Sequence, residues 1–187
     1  MYISEDILDN DDKYFAEGYG KQKAKKGIKF LKYPNILILQ LKRFEYNQKR
    51  EAMVKINEYF EFYEELNLEK YMYKTNQLQD SNENLYSLHS VVVHKGSPNS
   101  GHYYAYIKPT IKDDWIQFND EIVKPADKYE VFDNNFGGTN KYYKLKPKSE
   151  ISEINYSFES NAYILVYVKK SMRKNILNPL KKENVII

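Results

Sequence analysis

The segment Ile36 to Phe44, ILILQLKRF, constrains the fold of this chain more than any other stretch. It is apolar at nearly every position before its closing basic pair, which is typical of a strand buried on both faces of a sheet. Apolar runs at Leu85 to His94, His102 to Ile107 and Asn161 to Val168 predict three more strands. The sequence therefore predicts a fold built mainly on a sheet.

The remaining segments add shorter elements. Trp115 to Phe118 and Ile122 to Lys124 are close enough in sequence to pair as neighbouring strands. Pro125 to Phe132 predicts a helix, and Lys21 to Lys26 predicts a helical turn that ends at Gly27. No repeat and no linker separates these elements. We therefore expect one α+β domain, mainly antiparallel sheet with a few short helices.

Composition limits the classes of function. Hydrophobic residues make up 42% of the 187 residues and charged residues 29%, which is enough for a folded soluble core. The 29 basic and 26 acidic residues nearly balance, which does not suggest a nucleic-acid-binding protein. Met1 precedes an acidic stretch rather than a signal peptide, and no apolar run approaches the roughly 20 residues of a membrane helix. We expect a protein that is cytoplasmic and/or nuclear and binds neither nucleic acid nor membrane.

The chain contains no cysteine. This excludes a disulfide, a thiolate zinc site and a cysteine nucleophile within these residues. His94 and His102 are eight residues apart and do not form an HExxH arrangement, so their spacing does not indicate a metal site. We expect no metal and no cofactor.

The three histidines differ in their sequence context. His89 lies inside an apolar run, where a structural role is the better interpretation. His94 ends the same run before a Gly/Ser/Pro/Asn loop and could face a bound partner. His102 begins the next strand, where a rigid scaffold meets a loop, and functional residues gather at such junctions. An imidazole with an ordinary pKa near 6.5 suits a general base.

Asn119 and Asp120 follow the aromatic pair Trp115 and Phe118. A side-chain oxygen here could accept the proton on Nδ1 of a histidine and so set the orientation of the ring. The same residues are also ordinary hairpin-turn residues. The spacing does not decide between these two interpretations.

Three ordered segments resemble the ubiquitin-specific protease family. Tyr86 to Asp120 resembles its histidine box: a strand, H-x-G, a loop, G-H-Y, a strand, then W-x-x-F-[DN]-D-x-x-V. Tyr33 to Phe44 resembles its P-x-x-L-x-L-x-L-K-R-F strand, and Ser160 to Lys170 resembles its closing S-A-Y-x-L-x-Y segment. Within the family the likeness is greatest to the herpesvirus-associated type, on the segments KGIKFLKYP, KINEYFEF and NNFGG.

The resemblance implies a domain organisation. Residues 1–170 correspond to the C-terminal part of a papain-like catalytic domain, its palm and fingers, with the thumb absent, and residues 171–187 form a basic tail. The family's cysteine box has no counterpart in this chain. Ala16 and Tyr19 stand where many members carry a zinc-binding C-x-x-C pair. We therefore expect the fingers to be held together by packing and strand pairing.

The resemblance also implies a set of site residues. His102 corresponds to the catalytic base, Asn119 to the residue that orients it, and Asp120 to a neighbouring acid. The contacts with the substrate tail are expected at four positions of the preceding hairpin: His94, Gly96, Gly101 and Tyr103.

The implied activity is hydrolysis of isopeptide or peptide bonds after the C-terminal glycine of ubiquitin, with ubiquitin and ubiquitinated proteins as partners. This chain would supply the base and its orienting residue but not the cysteine, so we expect it to be inactive by itself. The alternative is a non-catalytic ubiquitin-binding module. The presence of both His102 and Asn119 favours the protease, since a module without catalysis needs neither residue.

Overall fold

Short antiparallel strands dominate the computed structural model, which describes residues 4–73, 83–138 and 160–178. The strands are β1 Asp6–Leu8, β2 Tyr14–Ala16, β3 Gly20–Gln22, β4 Ala24–Lys26, β5 Ile36–Gln40, β6 Phe44–Asn47, β7 Ala52–Lys55, β8 Glu65–Asn67, β9 Leu85–Gly96, β10 Gly101–Ile107, β11 Trp115–Asn119, β12 Ile122–Ala126 and β13 Ser160–Lys169. Two α-helical turns are α1 Lys128–Val131 and α2 Arg173–Ile176. The 3₁₀ turns are Asn10–Asp12, Glu69–Tyr71, Asp133–Asn135 and Lys170–Met172.

The chain divides into two compact units. The first unit comprises Met1–Tyr33 with Asn67–Asn84, and the second Pro34–Leu66 with Leu85–Ile187. The strands β1 to β4 of the first unit are three residues long and pair only with one another. Strands of this length make mainly local contacts. The sequence contains no linker at the boundary between the two units.

The second unit is built on one antiparallel sheet. Its strand order is β12-β11-β10-β9-β13-β5, and β8 also pairs with β9. β9 and β13 are the longest strands, at 12 and 10 residues, and they lie side by side at the centre. The prediction of a mainly antiparallel sheet with a few short helices is confirmed. The predicted strands at Leu85, His102, Trp115, Ile122 and Asn161 are all present within one or two residues.

Buried apolar side chains of the two central strands form part of the core of this unit. Leu88 and Val91 of β9 and Leu165 of β13 are almost completely buried. The ring of Trp115 packs edge-on against Phe132, which follows α1. Burying these apolar side chains supplies most of the free energy that holds the helical turns on the sheet.

Ile36–Gln40 forms a strand as predicted, but its burial on both faces was predicted wrongly. β5 is the last strand in the order and its described pairing is with β13. Its side chains alternate in exposure, and Ile38 is 63% exposed. A run of apolar residues indicates that a segment forms a strand. Whether that strand is buried depends on which other segments cover the two faces of the sheet there.

Residues 21–26 were predicted to form a helical turn, and this is wrong: they lie in β3 and β4. Positive φ angles at Gly18 and Gly20 close the β2–β3 hairpin, with Ala16 paired to Gly20. The amide of Tyr19 donates to the carbonyl of Ala16 at 3.0 Å. The hairpin that carries Ala16 and Tyr19 is therefore held by strand pairing, as expected.

The predicted helix at Pro125 to Phe132 is shorter in the structure. Pro125 belongs to the edge strand β12, where a missing N–H is tolerated. α1 starts after Asp127, whose carboxylate accepts from the amide of Glu130, while the Glu130 carboxylate accepts from the amide of Asp127. This reciprocal capping box sets the start of the helix.

Part of the expected basic tail is folded. Arg173 of α2 forms a bidentate pair with Asp113, at 2.6 and 2.8 Å. Asp113 also accepts from Lys108, which is 2% exposed and lies 4.7 Å from the centroid of the Trp115 ring. These contacts join the first tail residues to the loop between β10 and β11, while residues 179–187 lie outside the described part.

Arg43 connects separate segments of the second unit. It is 3% exposed, and its guanidinium donates to the carbonyls of Ala162, Ile56, Glu58 and Phe136 at 2.7–3.3 Å. Burial lowers the pKa of this guanidinium, which nevertheless stays charged at neutral pH. A single side chain thus satisfies backbone acceptors in the segment after β7, in the segment after α1 and in β13.

We expect Arg43→Met to lower the free energy of unfolding by about 2–4 kcal/mol, because four buried or partly buried carbonyls lose a charged donor. Arg50→Met is the matched control, because Arg50 is exposed in the turn between β6 and β7. Chemical denaturation of the two variants provides the comparison. Equal stability of the two variants would show that solvent replaces the guanidinium at little cost.

Candidate active site

His102 and Asn119 are brought together by the pairing of β10 with β11. The register aligns Ala105 with Phe118, which places Asn119 near the start of β10. Nε2 of His102 lies 2.6 Å from Oδ1 of Asn119. Two residues seventeen positions apart therefore form a direct hydrogen bond on a rigid part of the sheet.

The nitrogen that makes this bond differs from the one predicted. The sequence analysis assigned the contact to Nδ1, whereas the structure uses Nε2. Since an amide oxygen only accepts, Nε2 carries the proton in the neutral ring and Nδ1 has a free lone pair. The strand pairing determines which edge of the ring faces Asn119, and the sequence gives no indication of it.

Asp120 places a second acceptor oxygen near the imidazole. Its Oδ2 lies 3.6 Å from Nε2 of His102, and the two side chains are 76% and 44% exposed. Asp120 has a φ of +51° in the turn after β11, a conformation that aspartate tolerates better than most residues. At this exposure its effect on the ring is weak and screened by solvent.

The loop before His102 is a tight, well-bonded turn. The amide of Ser97 donates to the carbonyl of Ser100 at 3.0 Å, and the Ser97 hydroxyl accepts from the amide of Ser100 at 3.2 Å. Gly96 has a φ of +104°, which favours glycine. Gly101 faces the His94 imidazole so closely that an added Cβ would lie 2.7 Å from Cε1 and closer still to Nε2. Both glycines are required by the geometry of the turn.

His94 is packed inside the unit rather than exposed to solvent. It is 3% exposed, and its ring lies 5.1 Å from Phe44 and 4.7 Å from Tyr103 between centroids. Burial, with the nearby Lys55 ammonium, lowers the pKa of His94 below its ordinary value of 6.5. We conclude that the neutral imidazole is the form that fits this position.

The structure places the seven predicted site residues at one end of the β9–β10 hairpin, but on two faces of the sheet. His94 and Tyr103 are cross-strand partners and share one face. His102 follows Tyr103 directly, so its side chain points to the other face, where it meets Asn119. The substrate contacts predicted at His94, Gly96, Gly101 and Tyr103 stay predictions.

Sequence reasoning missed the contribution of Lys55. Its ammonium donates to the carbonyl of His94 at 3.1 Å and to that of Gly96 at 3.0 Å. A lysine that donates to backbone carbonyls about forty positions away in the chain produces no recognisable local sequence pattern. The only available signal was its place in the segment KINEYFEF, which contributed to the family resemblance.

His89 lies on the central strand away from this group. Its Nδ1 is buried and has no hydrogen-bond partner among the described residues, and burial lowers its pKa. Within the described part of the chain, no cluster of three or more histidine and acidic side chains could hold a metal ion. No helix in residues 4–73, 83–138 and 160–178 is long and apolar enough to cross a membrane.

We expect the unfolding free energy to fall as the pH drops below about 6.5, because His94 binds a proton less tightly in the folded protein than in the unfolded chain. His94→Phe keeps a ring between Phe44 and Tyr103 and removes this titration. Denaturation at several pH values from about 5 to 7.5 should therefore show that the unfolding free energy of the variant falls less steeply with decreasing pH than that of the wild type. Parallel pH profiles would contradict the assignment.

Gly101→Ala should lower the unfolding free energy by about 1–3 kcal/mol, because the new methyl group overlaps the imidazole of His94. Asn99→Ala tests the same turn at an exposed position and should be nearly neutral. Chemical denaturation distinguishes the two. A neutral Gly101→Ala would mean that the His94 ring moves aside freely.

Comparison with known proteins shows which family this chain resembles. The chain matches the family described as ubiquitin carboxyl-terminal hydrolase over residues 11–167. It is 40% identical to ubiquitin C-terminal hydrolase 12 of Arabidopsis thaliana and 42% identical to ubiquitin carboxyl-terminal hydrolase 15 of Schizosaccharomyces pombe, each over 98% of this chain. It spans only 17% and 16% of the lengths of these two relatives.

A solved structure shares the fold. The SAGA Ubp8/Sgf11/Sus1/Sgf73 DUB module includes a chain that matches 89% of this chain, with a TM-score of 0.59 and 26% sequence identity, over 31% of its own length. The sheet described above thus resembles a portion of a larger known architecture. The family match extends from the β1–β2 region to the end of β13 and includes the His102–Asn119 pair, and we conclude that the chain belongs to the ubiquitin carboxyl-terminal hydrolase family.

Proposed function

We propose that the protein to which this chain belongs is a ubiquitin-specific cysteine protease, with His102 as its general base and Asn119 as the residue that orients it. The observation that carries this proposal is the 2.6 Å bond from Nε2 of His102 to Asn119, because it directs the basic Nδ1 away from the amide. The names of the relatives, which are ubiquitin C-terminal hydrolases, suggest the substrate. The scissile bond is then the isopeptide or peptide bond after the C-terminal glycine of ubiquitin.

The nucleophile comes from residues beyond this chain, because none of its 187 residues is a cysteine. In the proposed reaction, Nδ1 of His102 takes the thiol proton and the thiolate attacks the carbonyl carbon of the terminal glycine. The carbon–nitrogen bond breaks as the imidazolium protonates the leaving amine. A water molecule, deprotonated by the same nitrogen, then hydrolyses the thioester and releases the ubiquitin carboxylate.

Asn119 holds the ring through both steps without carrying a charge. It therefore stabilises the imidazolium less than an aspartate would. Asp120 lies 3.6 Å from the same nitrogen and supplies a weak negative charge from a largely exposed position. We assign to it a supporting role, either beside the imidazolium or in holding a water molecule.

The tail of ubiquitin is proposed to cross the end of the β9–β10 hairpin next to His102. Gly96 and Gly101 let the turn fold tightly beside this path, because the Ser100 carbonyl and the His94 ring occupy the space that their Cβ atoms would need. Tyr103 is half-exposed at the same end and offers a flat ring for the tail to pack against. His94 is buried beneath Gly101, so its contribution acts through the shape of this turn.

Three finer assignments belong to the same proposal. The segments KGIKFLKYP, KINEYFEF and NNFGG favour the herpesvirus-associated type within the family. Ubiquitin and ubiquitinated proteins are the proposed partners, and the cytoplasm and/or nucleus is the proposed location, where those substrates occur. The proposed chemistry of the His102 site does not depend on these assignments.

The test is labelling of the complete protein by ubiquitin that bears a cysteine-reactive C-terminus, with ubiquitin binding measured separately. Removing a general base costs about 10²- to 10⁴-fold in rate, so His102→Ala should lose labelling and turnover to that extent. Asn119→Ala should lose less labelling and turnover than His102→Ala. Asn99 is an exposed residue of the preceding turn, so Asn99→Ala should retain both activities. Unchanged ubiquitin binding in the His102 variant separates a catalytic loss from misfolding.

A protein that binds ubiquitin but is not labelled would instead be a non-catalytic ubiquitin-binding module. Labelling that is equal in the wild type and the His102→Ala variant would remove the base role from this histidine. Absence of both binding and labelling would reject the proposal as a whole.

A further inference from the structure

We infer that Lys55 is a positioning residue for the His102 site, acting through the turn that precedes this histidine. The inference rests on the proposed function for its catalytic consequence. Its structural part, that Lys55 holds the turn in place, depends only on contacts within the second unit.

The base of the β6–β7 hairpin contacts β9 at two points. Phe44 and Lys55 are direct cross-strand partners and therefore share a face of the hairpin. The ring of Phe44 packs edge-on against the His94 imidazole at 5.1 Å. The ammonium of Lys55 donates to the carbonyls of His94 and Gly96. One pair of neighbouring residues thus holds both the side chain and the backbone of the end of β9.

The two carbonyls that Lys55 binds are two residues apart in a strand. Carbonyls at that spacing point to the same edge, so one ammonium with three N–H donors can reach both. Bonds from a charged donor to backbone oxygens are stronger than neutral ones. Because Lys55 is itself fixed at the end of β7, these bonds restrain the backbone of residues 94–96.

The restraint passes to His102 through the register of the hairpin. Gly96 pairs with Gly101, and Lys95 pairs with His102. A displacement of Gly96 therefore moves the first residues of β10, and with them the ring that Asn119 holds at 2.6 Å. A shift of about 1 Å in a catalytic group can cost roughly a hundredfold in rate, so a restraint at this point has a functional consequence.

The experiment compares Lys55→Met, Lys55→Arg and Lys49→Met in the complete protein. Methionine keeps the length of the side chain without its donors, and arginine restores them. Lys49 is an exposed lysine in the turn of the same hairpin and is the matched control. Three quantities are measured: amide hydrogen exchange of residues 95–102, kcat and KM for a ubiquitin C-terminal substrate, and Tm.

We expect exchange at the amides of residues 97 and 99–102 to rise about tenfold in Lys55→Met, which corresponds to a loss of about 1.4 kcal/mol of local stability. Exchange in β13 should not change, nor should either region in Lys49→Met. In Lys55→Met, kcat should fall by about three- to tenfold with little change in Tm. Lys55→Arg should restore most of the exchange protection and most of kcat. A purely structural lysine would lower Tm and raise exchange throughout the sheet, and would leave kcat intact in the folded fraction.

The outcomes separate the two proposals. Unchanged exchange at the turn in Lys55→Met overturns the inference, whatever the activity. Increased exchange at the turn with unchanged kcat overturns the positioning role. If the wild type is inactive, the proposed function fails, and the exchange data still decide whether Lys55 holds the turn. If Lys55→Met does not fold, Lys55→Gln, whose amide is too short to reach both carbonyls, replaces it in the same measurements.

Discussion

A buried guanidinium, whose hydrogen bonds within the described residues all go to backbone carbonyls, is the interaction that links the segments of the second unit. Arg43 follows the edge strand β5 and reaches Ile56, Glu58, Phe136 and Ala162, so one side chain joins three segments that are far apart in sequence. A buried cation is unfavourable unless its donors are satisfied, and here backbone dipoles take the place of a carboxylate. The arrangement is specific because a planar guanidinium with five N–H donors can donate hydrogen bonds to several carbonyls from one position.

The candidate site lies where three hairpins meet. The β10–β11 pairing brings Asn119 to His102, and the β9–β10 turn fixes the residues just before it. The base of the β6–β7 hairpin then holds that turn through Phe44 and Lys55. An imidazole that is partly exposed gains little orientation from burial, so strand pairing and hydrogen bonds must supply it. A neutral asparagine as the orienting group makes this geometric control more important than charge.

Sequence patterns predicted elements well where a local rule applies. The alternating runs that became β10, β11 and β12 were placed within one or two residues, and the turn at Asn119–Glu121 closed as expected. The helical turn at Lys21–Lys26 was wrong, because lysine-rich residues are compatible with a hairpin once Gly18 and Gly20 close it. The two-face burial of Ile36–Gln40 was wrong for a different reason, since exposure depends on the strand's position at the edge of the sheet.

The sequence by itself determined most of the strand-forming segments and the absence of a cysteine among these residues, because both can be read from local composition and periodicity. It put His102 and Asn119 forward as site residues only through the family resemblance. Only the tertiary structure decided that Nε2 rather than Nδ1 faces Asn119, that His94 is buried beneath Gly101 and that Lys55 holds the turn. Each of these depends on the register between strands and on segments tens of residues apart. Such contacts are determined by packing and hydrogen-bond geometry in three dimensions, and a local sequence pattern does not predict them.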